Sequence, residues 1–86
     1  MVEVRLYGSL RRFAPEPAVI GESIVRVPFV PGETVEAVLI RLGVDPSLQV
    51  SNVFVNGRYH FHALGMPASD GDRLGVFPKN MGMLYV

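Results

Sequence analysis

Apolar and polar residues alternate from the second position onward. Val2, Val4 and Leu6 are separated by Glu3 and Arg5 and followed by Tyr7. A period of two predicts a strand over residues 2 to 7 with one buried face, and Gly8 and Ser9 break it. Residues 14 to 22, APEPAVIGE, hold two prolines and a glycine and read as an irregular connection. Its apolar residues Ala18, Val19 and Ile20 are placed to cap one end of the core. Alternation resumes in SIVRVPFV, residues 23 to 30, where Val25, Val27 and Phe29 share a face. Pro28 cannot donate a ladder hydrogen bond, which puts this second strand at a sheet edge.

The period then changes. After the Pro31-Gly32 turn, Val35, Val38, Leu39 and Leu42 fall at i, i+3, i+4 and i+7, the stripe of an amphipathic helix. Thr34 is its natural N-cap, and Glu33 and Glu36 place negative charge near its positive end. Gly43 suits the left-handed position that ends a helix, and Pro46 blocks continuation. Asp45-Pro46-Ser47-Leu48 reads as one extra turn, capped by Asp45 with Pro46 at its first position. VSNVFV at 50 to 55 is a third strand, Asn56-Gly57 a two-residue hairpin turn, and 58 to 61 a short returning strand. Residues 62 to 69 read as loop, Asp70-Gly71-Asp72 as a turn, and 73 to 77 as the last strand, closed by Pro78. The order strand, strand, helix, strand, short strand, strand implies one sheet with one face under the helix. Glu3, Arg5, Tyr7, Arg73, Gly75 and Phe77 would lie on the open face.

Composition narrows the options. Eighty-six residues allow one domain with a thin core; residues 1–78 are assigned to it and 79–86 to a tail. Eight basic and eight acidic side chains balance, whereas a general nucleic-acid binder carries a basic excess. Without cysteine there is no disulfide frame, thiolate zinc site or cysteine nucleophile. Glu3 and Arg5 interrupt the first apolar stretch, so it does not read as a secretory leader. No apolar run is long enough to span a membrane, and a cytoplasmic location is expected. The hydrophobic fraction, 49%, is high for so small an interior. Part of it sits in Met81, Met83, Leu84, Tyr85 and Val86. A wet tail would be polar, so this one is expected to fold back, to join a neighbouring copy as a homo-oligomer contact, or to insert into a partner.

Candidate chemistry is sparse. His60 and His62 project to one side of an extended backbone, but two ligands do not close a metal site and no third histidine or cysteine exists. Asp70 and Asp72 sit at turn spacing and are expected to shape the turn through side-chain to backbone bonds. The serines lack a nucleophile-elbow context and the glycines lack phosphate-loop spacing. No cofactor and no enzymatic activity are expected. Arg5, Arg11, Arg12 and Arg73 fit either a docking patch or ordinary surface solvation. Tyr7, Phe54 and Phe77 are strand aromatics, a residue class enriched at interface cores.

Three segments carry a family resemblance. PGETVEAVLIRLGV (31 to 44), VFVNGR (53 to 58) and SDGDRLGVFP (69 to 78) occur in the order of the turn-plus-helix, strand-turn and final-strand signatures of the MoaD/ThiS sulfur carriers. The chain resembles that family over most of its length, and the Phe77-Pro78 step leans to the MoaD side. The resemblance implies an α+β fold, the ubiquitin-like β-grasp, with a mixed sheet of four to five strands and one crossover helix. It implies a role related to molybdopterin or tungstopterin cofactor biosynthesis, with an adenylating activating enzyme and a larger synthase subunit as partners. In such carriers a terminal Gly-Gly carboxylate is adenylated and then converted to a thiocarboxylate, and no side chain is catalytic. The partner-binding residues it implies are Tyr7, Phe54, Phe77, Pro78, Lys79, Asn80, Met81 and Gly82. Here Met83 stands where the second glycine belongs, so the C-terminus is read as altered. The alternative is a ubiquitin-like binding or oligomerisation module without thiocarboxylate chemistry; related domains also occur fused to RNase-like domains.

Overall fold

Strand β1, Val2–Leu6, buries Val2, Val4 and Leu6 completely and leaves Glu3 and Arg5 on the opposite face, as period-two alternation requires. The computed structural model describes residues 1–15 and 22–79. Strand β2, Ser23–Val27, lies antiparallel to β1. Helix α1, Val35–Leu42, crosses over, and the short helix α2, Pro46–Gln49, follows it. Strand β3, Val50–Val55, turns into the two-residue β4, Arg58–Tyr59, and β5, Arg73–Pro78, closes the described chain.

The five strands form one mixed sheet in the order β2-β1-β5-β3-β4. The last strand is therefore the central one, parallel to β1 and antiparallel to β3. Val38 and Leu39 of α1, with Val35, pack on the inner faces of these strands beside Leu74 and Val76. This is the five-stranded β-grasp with one crossover helix, and β2 lies at the edge, as Pro28 implied. Among the described residues no helix is long and apolar enough to cross a membrane.

The helix ends follow their chemistry. The Ala37 N–H donates to Thr34 Oγ1 at 3.2 Å. At the other end Gly43 takes φ 103°, and the Val44 N–H donates to the Leu39 carbonyl at 3.0 Å. That is a Schellman ending, and Val44 is buried beneath it. Thr34→Ala is expected to cost about 1 kcal/mol by losing the cap, read as a shift in the urea midpoint with an unchanged slope. The NG and DGD turns are joined. Asn56 donates through Nδ2 to Asp72 Oδ1 at 3.0 Å and accepts from the Arg73 N–H at 2.9 Å. Asp72 also accepts from the Ser69 N–H at 2.8 Å, so this aspartate shapes its turn.

Several boundaries differ from the sequence reading. β2 stops at Val27, because Pro28 cannot extend the ladder; Phe29 still packs partly on the core. Tyr7 lies one residue beyond β1, although its N–H still donates to Val76 at 3.2 Å. The expected strand at 58 to 61 keeps only Arg58 and Tyr59: His60 reaches Val53 at 3.5 Å, and the chain then enters a 3₁₀ turn at Ala63–Gly65. Gly8 and Ser9, read as a break, begin a 3₁₀ helix over Gly8–Phe13 that buries Leu10. Ala18, Val19 and Ile20 lie outside the described residues.

Candidate functional site

The sheet face away from α1 carries an aromatic cluster. Alternation on β1, β3 and β5 sends Tyr7, Phe54 and Phe77 to the same side. The Tyr7 and Phe77 rings are stacked, with centroids 4.4 Å apart and planes 2° from parallel. Phe54 meets Phe77 edge-on at 5.6 Å. Between them lies Gly75, opposite Arg5 on β1 and Phe54 on β3. A Cβ at Gly75 would sit 3.6 Å from Phe54 Cβ and 3.8 Å from the Tyr7 ring. Its absence leaves a shallow concavity of about 220 Å³ whose walls are aromatic and whose rim carries Arg5 and Arg73. A glycine inside a strand marks a place where another chain or ligand can approach the backbone closely.

The rim is electrostatically ordered. Arg5 Nε donates to Glu3 Oε2 at 2.8 Å, and Arg26 donates to Glu3 Oε1 at 3.2 Å. The Arg5 hydrogen bond, opposed by desolvation, holds the Glu3 carboxyl below its ordinary 4.5. The folded state thus resists this proton more than the unfolded state does. The resulting stabilisation is present above the ordinary carboxylate range and is lost as pH falls through the lowered folded value. Glu3→Gln is expected to flatten the acid side of the stability–pH curve, measured as Tm from neutral pH downward. The Tyr7 hydroxyl donates to Glu22 Oε2. That bond first, and burial second, push the phenol above 10.0.

The sequence-derived residues do not all lie together. Tyr7, Phe54 and Phe77 form one surface. Pro78 is buried and pairs with Val50 in the β3–β5 ladder. The Lys79 ammonium donates to the Ser47 carbonyl in α2, away from the aromatic face. Asn80, Met81 and Gly82 lie outside the described residues. Two contributors escaped the sequence reading. Tyr59, about half exposed, extends the cluster by its 5.7 Å contact with Phe54. The NG turn held the signal, since a two-residue hairpin loop pairs 55 with 58 and therefore 54 with 59. Glu22, which anchors Tyr7, offered no local signal. Among the described residues no group of three or more His, Cys, Asp or Glu side chains could hold a metal.

Comparison with known proteins agrees with this architecture. A family model described as Mut7-C ubiquitin matches residues 1–83. A crystal structure of SAMP1 from Haloferax volcanii is similar at 28% identity and a TM-score of 0.61, covering 90% of this chain and 92% of that one. A solution structure of small archaeal modifier protein 1 (SAMP1) from Methanosarcina acetivorans shares the fold at 23% identity and a TM-score of 0.58, covering 90% of each chain. No curated protein matches. With the model spanning both the NG and DGD turns and all five strands, the chain belongs to the Mut7-C ubiquitin family, a ubiquitin-like β-grasp of the MoaD/ThiS type.

Proposed function

We propose that this protein is a MoaD-like docking subunit that presents its aromatic sheet face to a larger partner, an adenylating activating enzyme or a synthase subunit. The observation that carries the reading is the Tyr7–Phe77–Phe54 cluster around the bare backbone of Gly75. Three aromatic rings with a glycine floor offer a ready pocket for a partner side chain, and aromatic anchors dominate such contacts. The protein's part is to bind and deliver its tail; the partner supplies the chemistry. The proposed setting is cytoplasmic and related to molybdopterin or tungstopterin cofactor biosynthesis, with residues 1–78 as the domain and 79–86 as the tail. Calorimetric titration against the host's adenylating enzyme and larger synthase subunit is expected to show saturable binding to at least one. Absence of heat with both would sink the docking assignment.

Met83 favours a second reading. A carboxylate exposed after Gly82 would carry one glycine behind Met81, a bulkier approach to a narrow adenylation channel than Gly-Gly provides. On this reading the chain keeps the docking face without thiocarboxylate chemistry. Intact-mass measurement on protein from its native host separates the two. A species ending at Gly82, or one bearing the increment of oxygen replaced by sulfur, establishes the carrier. A mass that retains residues 83 to 86 and lacks that increment under all growth conditions rules out the carrier and leaves the binding module.

A further inference from the structure

Among the described residues no strand pairs with the outer edge of β2. The Glu3 and Tyr7 N–H groups donate to Asp72 and Val76 at the β5 side, so the odd residues of β1 bond to β5 and the even ones to β2. Given the register Val2↔Val27, Val4↔Val25 and Leu6↔Ser23, Ser23, Val25 and Val27 spend their backbone groups on β1. Those of Ile24 and Arg26 point outward, away from the sheet. The side chains of Glu22, Ile24 and Arg26 lie on the open face, where Glu22 meets Tyr7 and Arg26 meets Glu3. Ile24 is 42% exposed.

We propose that β2 pairs antiparallel with β2 of a second copy of this chain, about a twofold axis through Ile24, joining the two sheets edge to edge. In that register Ile24 faces its own copy, and Glu22 of each chain faces Arg26 of the other. Every outward backbone group of residues 22 to 26 finds a partner. Centring on Val25 instead would set Glu22 against Pro28, which has no N–H to give. Centring on Arg26 would set Ile24 against Pro28 and arginine against arginine. Charged residues on an edge strand commonly discourage pairing. Here an antiparallel copy inverts their order and turns them into cross-strand ion pairs. Glu22 has room for this, since Oε2 takes the Tyr7 hydroxyl while Oε1 meets Arg5 only at 3.5 Å. The interface uses the outer edge of β2, and the docking assignment uses the face around Gly75. The two meet at Glu22, which contacts Tyr7 and Arg5, but the strand pairing does not require the docking reading. Its small size makes the dimer weak and concentration-dependent.

Sedimentation velocity over a concentration series tests this, together with oxidation of single-cysteine variants of a chain that has no cysteine of its own. Hydrogen-bonded antiparallel pairs hold their Cα atoms about 5.5 Å apart, within disulfide reach. Ile24→Cys is therefore expected to oxidise to a covalent dimer much faster than Leu48→Cys, a more exposed but distant surface position on α2. Arg26→Glu sets like charges opposite each other and is expected to weaken the dimer about 10-fold. Adding Glu22→Arg restores unlike pairs and should recover most of that loss. Thermal melts of each variant separate dimer loss from unfolding. Wild-type protein that stays monomeric throughout, Ile24→Cys that crosslinks no faster than Leu48→Cys, or a charge swap that fails to recover the dimer each overturns the proposal. A monomer that instead captures an extended foreign peptide along β2 also overturns it.

Discussion

Phe77→Ala is expected to weaken binding to the proposed partner, an activating enzyme or synthase subunit, about 100-fold, the effect of losing a central aromatic anchor. Phe77 contacts both other rings of the cluster, Tyr7 face to face and Phe54 edge to face. Its loss removes one wall of the concavity and leaves Tyr7 unstacked. Truncation of a half-buried ring also costs stability, so affinity alone does not isolate docking from folding. Gly75→Ala supplies the separation. The new methyl meets only ordinary van der Waals neighbours. Replacing glycine in a strand interior by alanine stabilises by about 0.5–1 kcal/mol, while the added group raises the floor of the pocket. This variant is expected to unfold at higher urea and yet bind more weakly. Titration calorimetry and urea unfolding on the same samples read the two signs. If Phe77→Ala binds as wild type does, or if Gly75→Ala tightens binding, the aromatic face is not the docking surface.

Leu74→Ala is expected to remove most of the domain's stability. Leu74 lies on the central strand, fully buried, in register with Val4 on one side and Val55 on the other. A cavity there loses contacts from two neighbouring strands and the helix above, at a cost of about 3–5 kcal/mol. A domain of this length has roughly 4–13 kcal/mol in total. The variant should sit near its unfolding midpoint with little denaturant, while Leu48→Ala, at a position 74% exposed, should shift by less than about 0.5 kcal/mol. A loss at Leu74 below about 1 kcal/mol would mean that the inner faces do not carry the packing described here.

Much of the fold was legible because it is written in short-range periods. Alternation in Val2–Leu6, the stripe from Val35 to Leu42, and the Thr34 and Gly43 caps each act within a few residues. Pro28 announced an edge by a missing N–H. Where sequence reading fell short, the deciding contact lies far along the chain. Leu10 is drawn into the core by strands that precede and follow it, so the 3₁₀ helix around it has no period to reveal it. The returning strand after the NG turn is cut to two residues because residues 62 to 69 turn away toward α1. There the Val35 N–H donates to Met66 and the Ala68 N–H to Glu33, each at 2.9 Å. Of the candidate site, Tyr7, Phe54 and Phe77 could be assigned to one face by parity alone, and Tyr59 by hairpin register. The anchoring of Tyr7 by Glu22, and the burial of Pro78 within the ladder, required coordinates.

The amino-acid sequence by itself determined the alternation, the caps, the turns and the family, because each depends on residue type and spacing along a few positions. Only the tertiary structure decided that β5 runs through the middle of the sheet. That placement brings Gly75 between Tyr7 and Phe54, residues 68 and 21 positions away in the chain. It also sets which backbone groups of β2 face outward, since their direction follows from what β1 gives to β5. Strand order and the surfaces it creates come from long-range hydrogen bonding and burial, which no local pattern encodes.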